Sequence, residues 1–336
     1  MKLEIRHWTS SQNMIIYSFF YYCKKYNKEF ELIINEKVPY NAAILNYDSL
    51  SIFFDYSDDV KFIDFPINYN FYFKRSLKMN DYKENVFPLN FQVNFSYKSL
   101  ELLSKLNISD INNRNNRIEI FRALDYFNLI TNSSHQAMDI RNIPDKLEDN
   151  GGKIIFYSRL WNPDNHPDEE EKNRRFLQND FRIKACNIIK KNFKNSKVGI
   201  LSDKFSIKYC PKEIIISVSN TKKKNYINEL ISSNIAIADD GLKDTPGWKI
   251  GEYLLFGKAI ITTPINVKIM DFNNNDNYLK LSNRSSFEEL PDKISELMKN
   301  KNYLEMGNYN KNWSKIYLHP NNYFNRLLSV IENNKL

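Results

Sequence analysis

The 336-residue chain is 42% apolar, enough to fill two buried cores, and its 14% aromatic content with only 8 glycines excludes a disordered or low-complexity polymer. A formal charge of +8 fits an anionic partner, whether nucleotide, nucleic acid or acidic membrane face, and does not choose among them. Three widely separated cysteines, Cys23, Cys186 and Cys210, exclude a disulfide framework and a cysteine zinc site, which fits a reducing, cytoplasmic setting.

Residues 2–8 read as a first strand, and Thr9-Ser10-Ser11 supply cap residues for a helix running to about Lys25. Short β-rich pieces follow at 30–34, 42–45 and 51–55, and their alternation with helices suggests a parallel sheet. The stretch 61–98 is aromatic-rich and broken by Pro66 and Pro88; helices near 96–106 and 117–127 then precede a strand at 129–131. The segment DKLEDNGG, 145–152, joins charge to a glycine pair and marks a domain boundary.

A second series begins with a strand at 153–157 and a helix that opens on the acidic-to-basic run 168–175 and reaches about Asn192. Strands at 198–201, 214–218, 235–239 and 259–263 follow, with helices at 222–232 and 249–257 between them, and helices near 285–299 and 319–333 finish the chain. Such regular strand and helix alternation is the signature of a doubly wound Rossmann-like unit. No stretch approaches the ~20 apolar residues of a membrane span, and the opening MKLEIRHWTSSQN lacks the apolar core of a signal peptide.

Open α/β sheets bind ligands at the carboxyl ends of their strands, so the loops after strands hold the candidate residues. Arg159 emerges after the strand at 153–157, where a guanidinium can hold phosphate oxygens through two hydrogen bonds; the alternative is a solvated surface arginine. After the strand at 235–239 comes Asp244-Thr245-Pro246-Gly247-Trp248-Lys249-Ile250-Gly251-Glu252, then a short helix, Gly257 and the strand Ala259-Ile260-Ile261. Asp244 and Glu252 are separated by seven residues, with Gly247 between them and Gly257 ending the helix.

That pattern resembles the carboxyl-terminal half of GT-B glycosyltransferases, in particular the family 4/1-like enzymes with a spaced acidic pair. The resemblance covers mainly residues 153–316. It implies an α/β fold of GT-B architecture, two Rossmann-like domains with parallel sheets facing a cleft. The expected organisation is an acceptor-binding domain at 1–148, a donor-binding domain at 149–316 and a final helix, 317–336, packing back on the first domain. It implies that Glu252 hydrogen-bonds the ribose hydroxyls of a nucleotide diphosphate sugar and that Asp244 lies near the sugar. Arg159 would hold the diphosphate; Asp164 stands where the family commonly has a second cation, so Lys249 or Lys204 is expected to compensate, or else the helix dipole carries the phosphate. Asp244 is one methylene shorter than the usual glutamate and Trp248-Lys249 is unusual, which leaves the stereochemistry open.

In the first half, His135 follows the strand at 129–131 and is a candidate proton carrier, with His7 a second; a structural role is the alternative for both. Asp55, ending the strand at 51–55, is a candidate general base, or else a turn residue. Lys74-Arg75, beside aromatics, offers contact with an acidic acceptor or an acidic membrane face, or is a solvated strand end. No metal-binding motif is present, so no metal or resident cofactor is expected; the nucleotide sugar is a substrate.

The resemblance implies a metal-independent hexosyltransferase of surface polysaccharide biosynthesis. It would be cytoplasmic, with peripheral contact at the inner membrane face, and would transfer a sugar to a glycan or lipid-linked acceptor. An epimerase or phosphorylase on the same fold, a nucleic-acid-binding protein and a silent sugar-binding scaffold are the rival readings.

Overall fold

The computed structural model of the chain describes residues 1–7, 9–64, 68–96, 105–107, 117, 137–241, 243 and 245–334. Two compact units divide it: Met1–Arg141 with Val267–Met270 and Lys315–Leu336, and Asn142–Asn266 with Asp271–Ser314.

The first unit begins β1 (Lys2–Ile5), α1 (Asn13–Lys25), β2 (Glu31–Ile34), β3 (Ala42–Tyr47) and β4 (Leu50–Asp55). It continues β5 (Phe71–Lys74), β6 (Val86–Pro88), β7 (Phe95–Ser96), β8 (Leu106–Asn107) and β9 (Met138–Asp139). Seven of these strands form one sheet in the order β6-β5-β4-β3-β1-β2-β8, while β7 pairs with β9. The sheet is parallel except at β3, which runs antiparallel to both β1 and β4. The connections explain the exception. Residues 35–41 are too few for the crossover that a parallel neighbour needs, and Asp48, at φ 51°, closes a tight hairpin between β3 and β4. The expected helices at 96–106 and 117–127 and strand at 129–131 lie almost wholly outside the described residues; at the flanks of the first, Ser96 belongs to β7 and Leu106 to β8.

The second unit contains β10 (Ile154–Ser158), α2 (Glu169–Asn192), β11 (Ser196–Leu201), α3 (Lys204–Tyr209), β12 (Ile215–Ile216), α4 (Val218–Thr221) and α5 (Lys223–Ile231). Then come β13 (Ile235–Ala238), α6 (Lys249–Leu255), β14 (Ala259–Thr262), β15 (Tyr278–Lys280), α7 (Leu290–Met298) and α8 (Asn302–Tyr317). Its sheet is wholly parallel, in the order β12-β11-β10-β13-β14-β15. That order places the first strand centrally, with later strands added first on one side and then on the other. It is the doubly wound arrangement, and the winding reverses between β10 and β13. The expected α/β class, with parallel-dominated sheets and helices, is what the structure shows.

Local chemistry accounts for the main elements of the second unit. Ile154, Phe156, Ile200, Ile235, Ile237 and Ile261 lie on one face of the sheet, where Phe181, Ala185 and Ile189 of α2 pack against them, and the alternate residues Ile155, Ala236 and Ile260 are buried on the other, as a sheet covered on two sides requires. Each such side chain contributes roughly 1.5–3 kcal/mol by leaving water. Asp168 caps α2 by accepting from the Glu170 N–H at 2.9 Å, three glutamates occupy its first turn and Lys190 and Lys191 its last, all favourable to the helix dipole. At the boundary predicted from sequence, Gly151 and Gly152 take φ of 65° and 68°, a left-handed path that β-carbons disfavour. The last helix, α9 (Pro320–Asn333), belongs to the first unit, where Phe324 meets Phe19 of α1 at 5.3 Å and Tyr22 at 5.1 Å.

Candidate functional site

Because every strand of the second unit points the same way, the carboxyl ends of all six emerge on one edge, and the reversal between β10 and β13 opens a natural crevice there. Lys249, first residue of α6, lies at that point: its Nζ donates to the Tyr157 carbonyl of β10. Burial draws the Lys249 pKa down to about 8, helped by Arg182 and Lys223 and opposed by Glu252 and Asp239. One turn further along the helix, Glu252 is 9% exposed and its Oε1 accepts from Lys223 Nζ of α5. Tyr226, one turn after Lys223, brings its ring within 5.2 Å of the Lys223 ammonium and 5.8 Å of that of Lys249. The buried phenols of Tyr226 and Tyr253 stand close to the Glu252 carboxylate, and burial first, then that negative charge, pushes both pKa values far up.

A second group surrounds the end of β13. Asp239 accepts from Arg182 Nε at 2.6 Å, and Asp240 from Arg284 at 2.9 Å and Arg174 at 3.4 Å. Arg174 also grips Glu171 with two hydrogen bonds, at 2.6 and 2.8 Å, while Arg175 reaches the same carboxylate at 3.0 Å. Burial alone would raise the Glu171 pKa, yet these two arginines hold it at about 2. Asp240 goes the other way: burial and then the Asp239 charge lift it to about 6, against the pull of Arg284, Arg174 and Arg182. Residues 171, 174, 175, 178 and 182 recur at helical spacing, so α2 turns one charged and buried face toward the strand ends.

The structure brings Lys249 and Glu252 together, and sets Gly247 so close that an added β-carbon would lie 3.0 Å from the Asp239 carbonyl. Arg159 is at the same edge, exposed, with its guanidinium 4.7 Å from the centre of the Trp161 ring and its carbonyl taken by Arg182 at 2.6 Å. Asp164 and Lys204 are exposed. Asp244 and His135 lie outside the described residues. His7 meets Tyr40 edge-on at 4.6 Å.

Asp55 holds a structural place in the first unit rather than that of a general base. It is 0% exposed, and its carboxylate accepts from Lys74 Nζ at 2.7 Å, Tyr72 Oη at 2.6 Å and the Ser57 N–H and hydroxyl at 2.9 and 2.6 Å, which leaves no room to take a proton from an acceptor. Lys74 and Arg75 likewise form no solvated strand end: Lys74 is 0% exposed and Arg75, 4% exposed, pairs with Asp58.

Sequence reasoning missed Lys223, Tyr226, Arg174, Arg182 and Arg284. Lys223 stands in a run of three lysines, 222–224, that reads as a solvated face. The arginines of α2 carried a signal in their helical spacing to Glu171, which only a buried face would give meaning. Among the described residues no group of three or more His, Cys, Asp or Glu side chains is placed to hold a metal ion, and no helix is long and apolar enough to cross a membrane.

Neither a family model nor a curated protein sequence matches the chain. Among solved structures it is similar to TarM of S. aureus, at 15% identity and TM-score 0.38 over 64% of this chain and 42% of TarM. It is also similar to the C-terminal domain of the group 1 family glycosyl transferase LpcC of Francisella tularensis, at 15% identity and TM-score 0.34 over 52% of this chain and 87% of that domain. A glycosyltransferase of Rickettsia africae matches at 12% identity and TM-score 0.40 over 96% of this chain and 94% of its own. The two matches to TarM cover 42% and 52% of its length, so the chain spans about half of it.

Proposed function

We propose that the chain is a GT-B glycosyltransferase that moves a sugar from a nucleotide diphosphate sugar to a hydroxyl of a glycan or lipid-linked acceptor, in the assembly of surface polysaccharide. The donor is assigned to residues 149–316 and the acceptor to residues 1–148. One observation carries the reading. A carboxylate, Glu252, and a cation of lowered pKa, Lys249, meet at the point where a doubly wound parallel sheet reverses, the place where such sheets take nucleotides.

In this reading the Glu252 carboxylate accepts the two ribose hydroxyls, and Lys249 and Arg159 neutralise the diphosphate. As the acceptor oxygen bonds to the sugar's anomeric carbon, the bond from that carbon to the diphosphate breaks, and the cations stabilise the charge that develops on the leaving group. Asp244 is assigned to the transferred sugar and His135 to proton transfer. Asp55 has no part.

A thermal-shift screen against UDP, GDP, CMP and dTDP sugars tests the proposal. The expected result is a shift with the sugars of one base and little with the others. A flat response to all four classes rejects the nucleotide-sugar reading.

A further inference from the structure

Glu252 already has a partner. Its Oε1 accepts from Lys223 Nζ, and the two side chains are only 12% and 14% exposed. Lys223 comes from the start of α5, a different element from the loop and helix that carry Lys249 and Glu252. Both ammonium groups lie near the one Tyr226 ring, at 5.2 and 5.8 Å from its centre. Lys223, Lys249 and Glu252 therefore share a place with little water, and because Arg182 and Asp239, the other charges facing Lys249, pair with each other at 2.6 Å, the excess is one positive charge. Such an excess is unfavourable at low dielectric and is relieved when an anion enters. The mutual repulsion is visible in Lys249, whose pKa the Lys223 charge helps to lower. Arg159 follows β10 at this edge but is exposed, so the buried positive charge available to a diphosphate here comes from Lys249 and Lys223.

We propose that Lys223 is a diphosphate-binding residue that exchanges partners: as a nucleoside diphosphate enters, its ammonium leaves Glu252 for phosphate oxygens beside Lys249, and Glu252 is released to accept the ribose hydroxyls. The inference rests on the nucleotide reading of this site and adds to it the residue that couples phosphate to ribose. No covalent bond changes; one charge-assisted contact is traded for others. The coupling has a signature that a merely structural lysine lacks. A nucleoside without phosphates must break the Lys223–Glu252 pair and gains nothing for the ammonium, whereas a nucleoside diphosphate gives it a new anion.

Calorimetric titration of the full chain with uridine and UDP, guanosine and GDP, and thymidine and dTDP separates the two. For Lys223→Met the Kd of the preferred nucleoside diphosphate rises about tenfold or more, as loss of a charge-assisted contact implies, while the Kd of the matching nucleoside falls. Lys223→Arg, whose fork grips Glu252 with two bonds, keeps the diphosphate Kd within about threefold and weakens the nucleoside, which tests the idea even if the methionine variant does not fold. Variants that weaken both ligands alike, or neither, overturn the exchange while leaving the nucleotide site in place. A wild-type chain that binds none of the six probes rejects the site reading itself, and the exchange with it.

Discussion

Burial holds the Lys249 ammonium at a pKa of about 8, below its ordinary 10.5, so the charged form costs the fold stability below about pH 8 and that cost fades as pH rises toward 10.5. Ligand binding runs the opposite way. An anionic diphosphate needs the protonated amine, so affinity for the preferred nucleotide sugar stays level through neutral pH and falls with a midpoint at about 8, the pKa of the unliganded site. The raised pKa of the complex sets where the fall ends, and Lys249→Met removes that alkaline limb. Titrations from pH 6 to 10 check it; an alkaline limb that survives in the variant assigns the titration to another group. In the first unit, Lys74→Met strands the buried Asp55 carboxylate and lowers stability by about 3–5 kcal/mol in denaturant unfolding. At this scale the sequence was least legible. Asp55 at a strand end and Lys74 beside aromatics carry the same letters whether they face solvent or each other, and only the pairing of β4 with β5, which sets Asp55 opposite Lys74, decides it.

Elements were read more reliably where a periodic apolar pattern met a clear stop. Gly257 was expected to end the helix at 249–257, and it does: at φ 60° it follows α6 in the left-handed region, with its N–H donating to the Leu254 carbonyl at 3.0 Å. A β-carbon there would lie 2.5 Å from Leu147 and 3.0 Å from the Gly307 carbonyl, so Gly257→Ala combines backbone strain with a clash and should cost about 1–3 kcal/mol or more. Chemical denaturation of the variant measures that loss. Removing the α2 cap with Asp168→Ala should cost about 1 kcal/mol, a smaller effect that leaves the core untouched. The helix α8 escaped notice because its buried face is partly polar. Asn310 is 0% exposed and spends its amide on the Lys258 and Asn277 carbonyls, at 2.7 and 2.8 Å, where an apolar stripe would have announced a helix. The strand at 214–218 shrinks to Ile215–Ile216 because Pro211 opens a 3-10 turn that takes in Ile214. Strand β15 is too short, at three residues, to leave a pattern.

For the whole molecule, alternation of strands and helices announced α/β units with parallel sheets, but strand order is a long-range property that no local pattern encodes. The reversal between β10 and β13, which gives Lys249 and Glu252 their meaning, became visible only in the assembled sheet. The net charge of +8 was similarly blunt: Lys74, Arg174 and Arg182 are buried but pair with Asp55, Glu171 and Asp239, so a count of basic residues does not distinguish internal ion pairs from a surface for anions. The central claim is that one edge of the second unit binds a nucleotide through Glu252. Calorimetric titration of the preferred nucleotide sugar into wild type and Glu252→Ala tests it most directly. The account predicts a Kd raised at least about tenfold in the variant, the loss expected for two ribose hydroxyls deprived of a carboxylate, with the fold retained at a stability reduced by about 1–3 kcal/mol because Lys223 loses its partner. An unchanged Kd in the folded variant would contradict it.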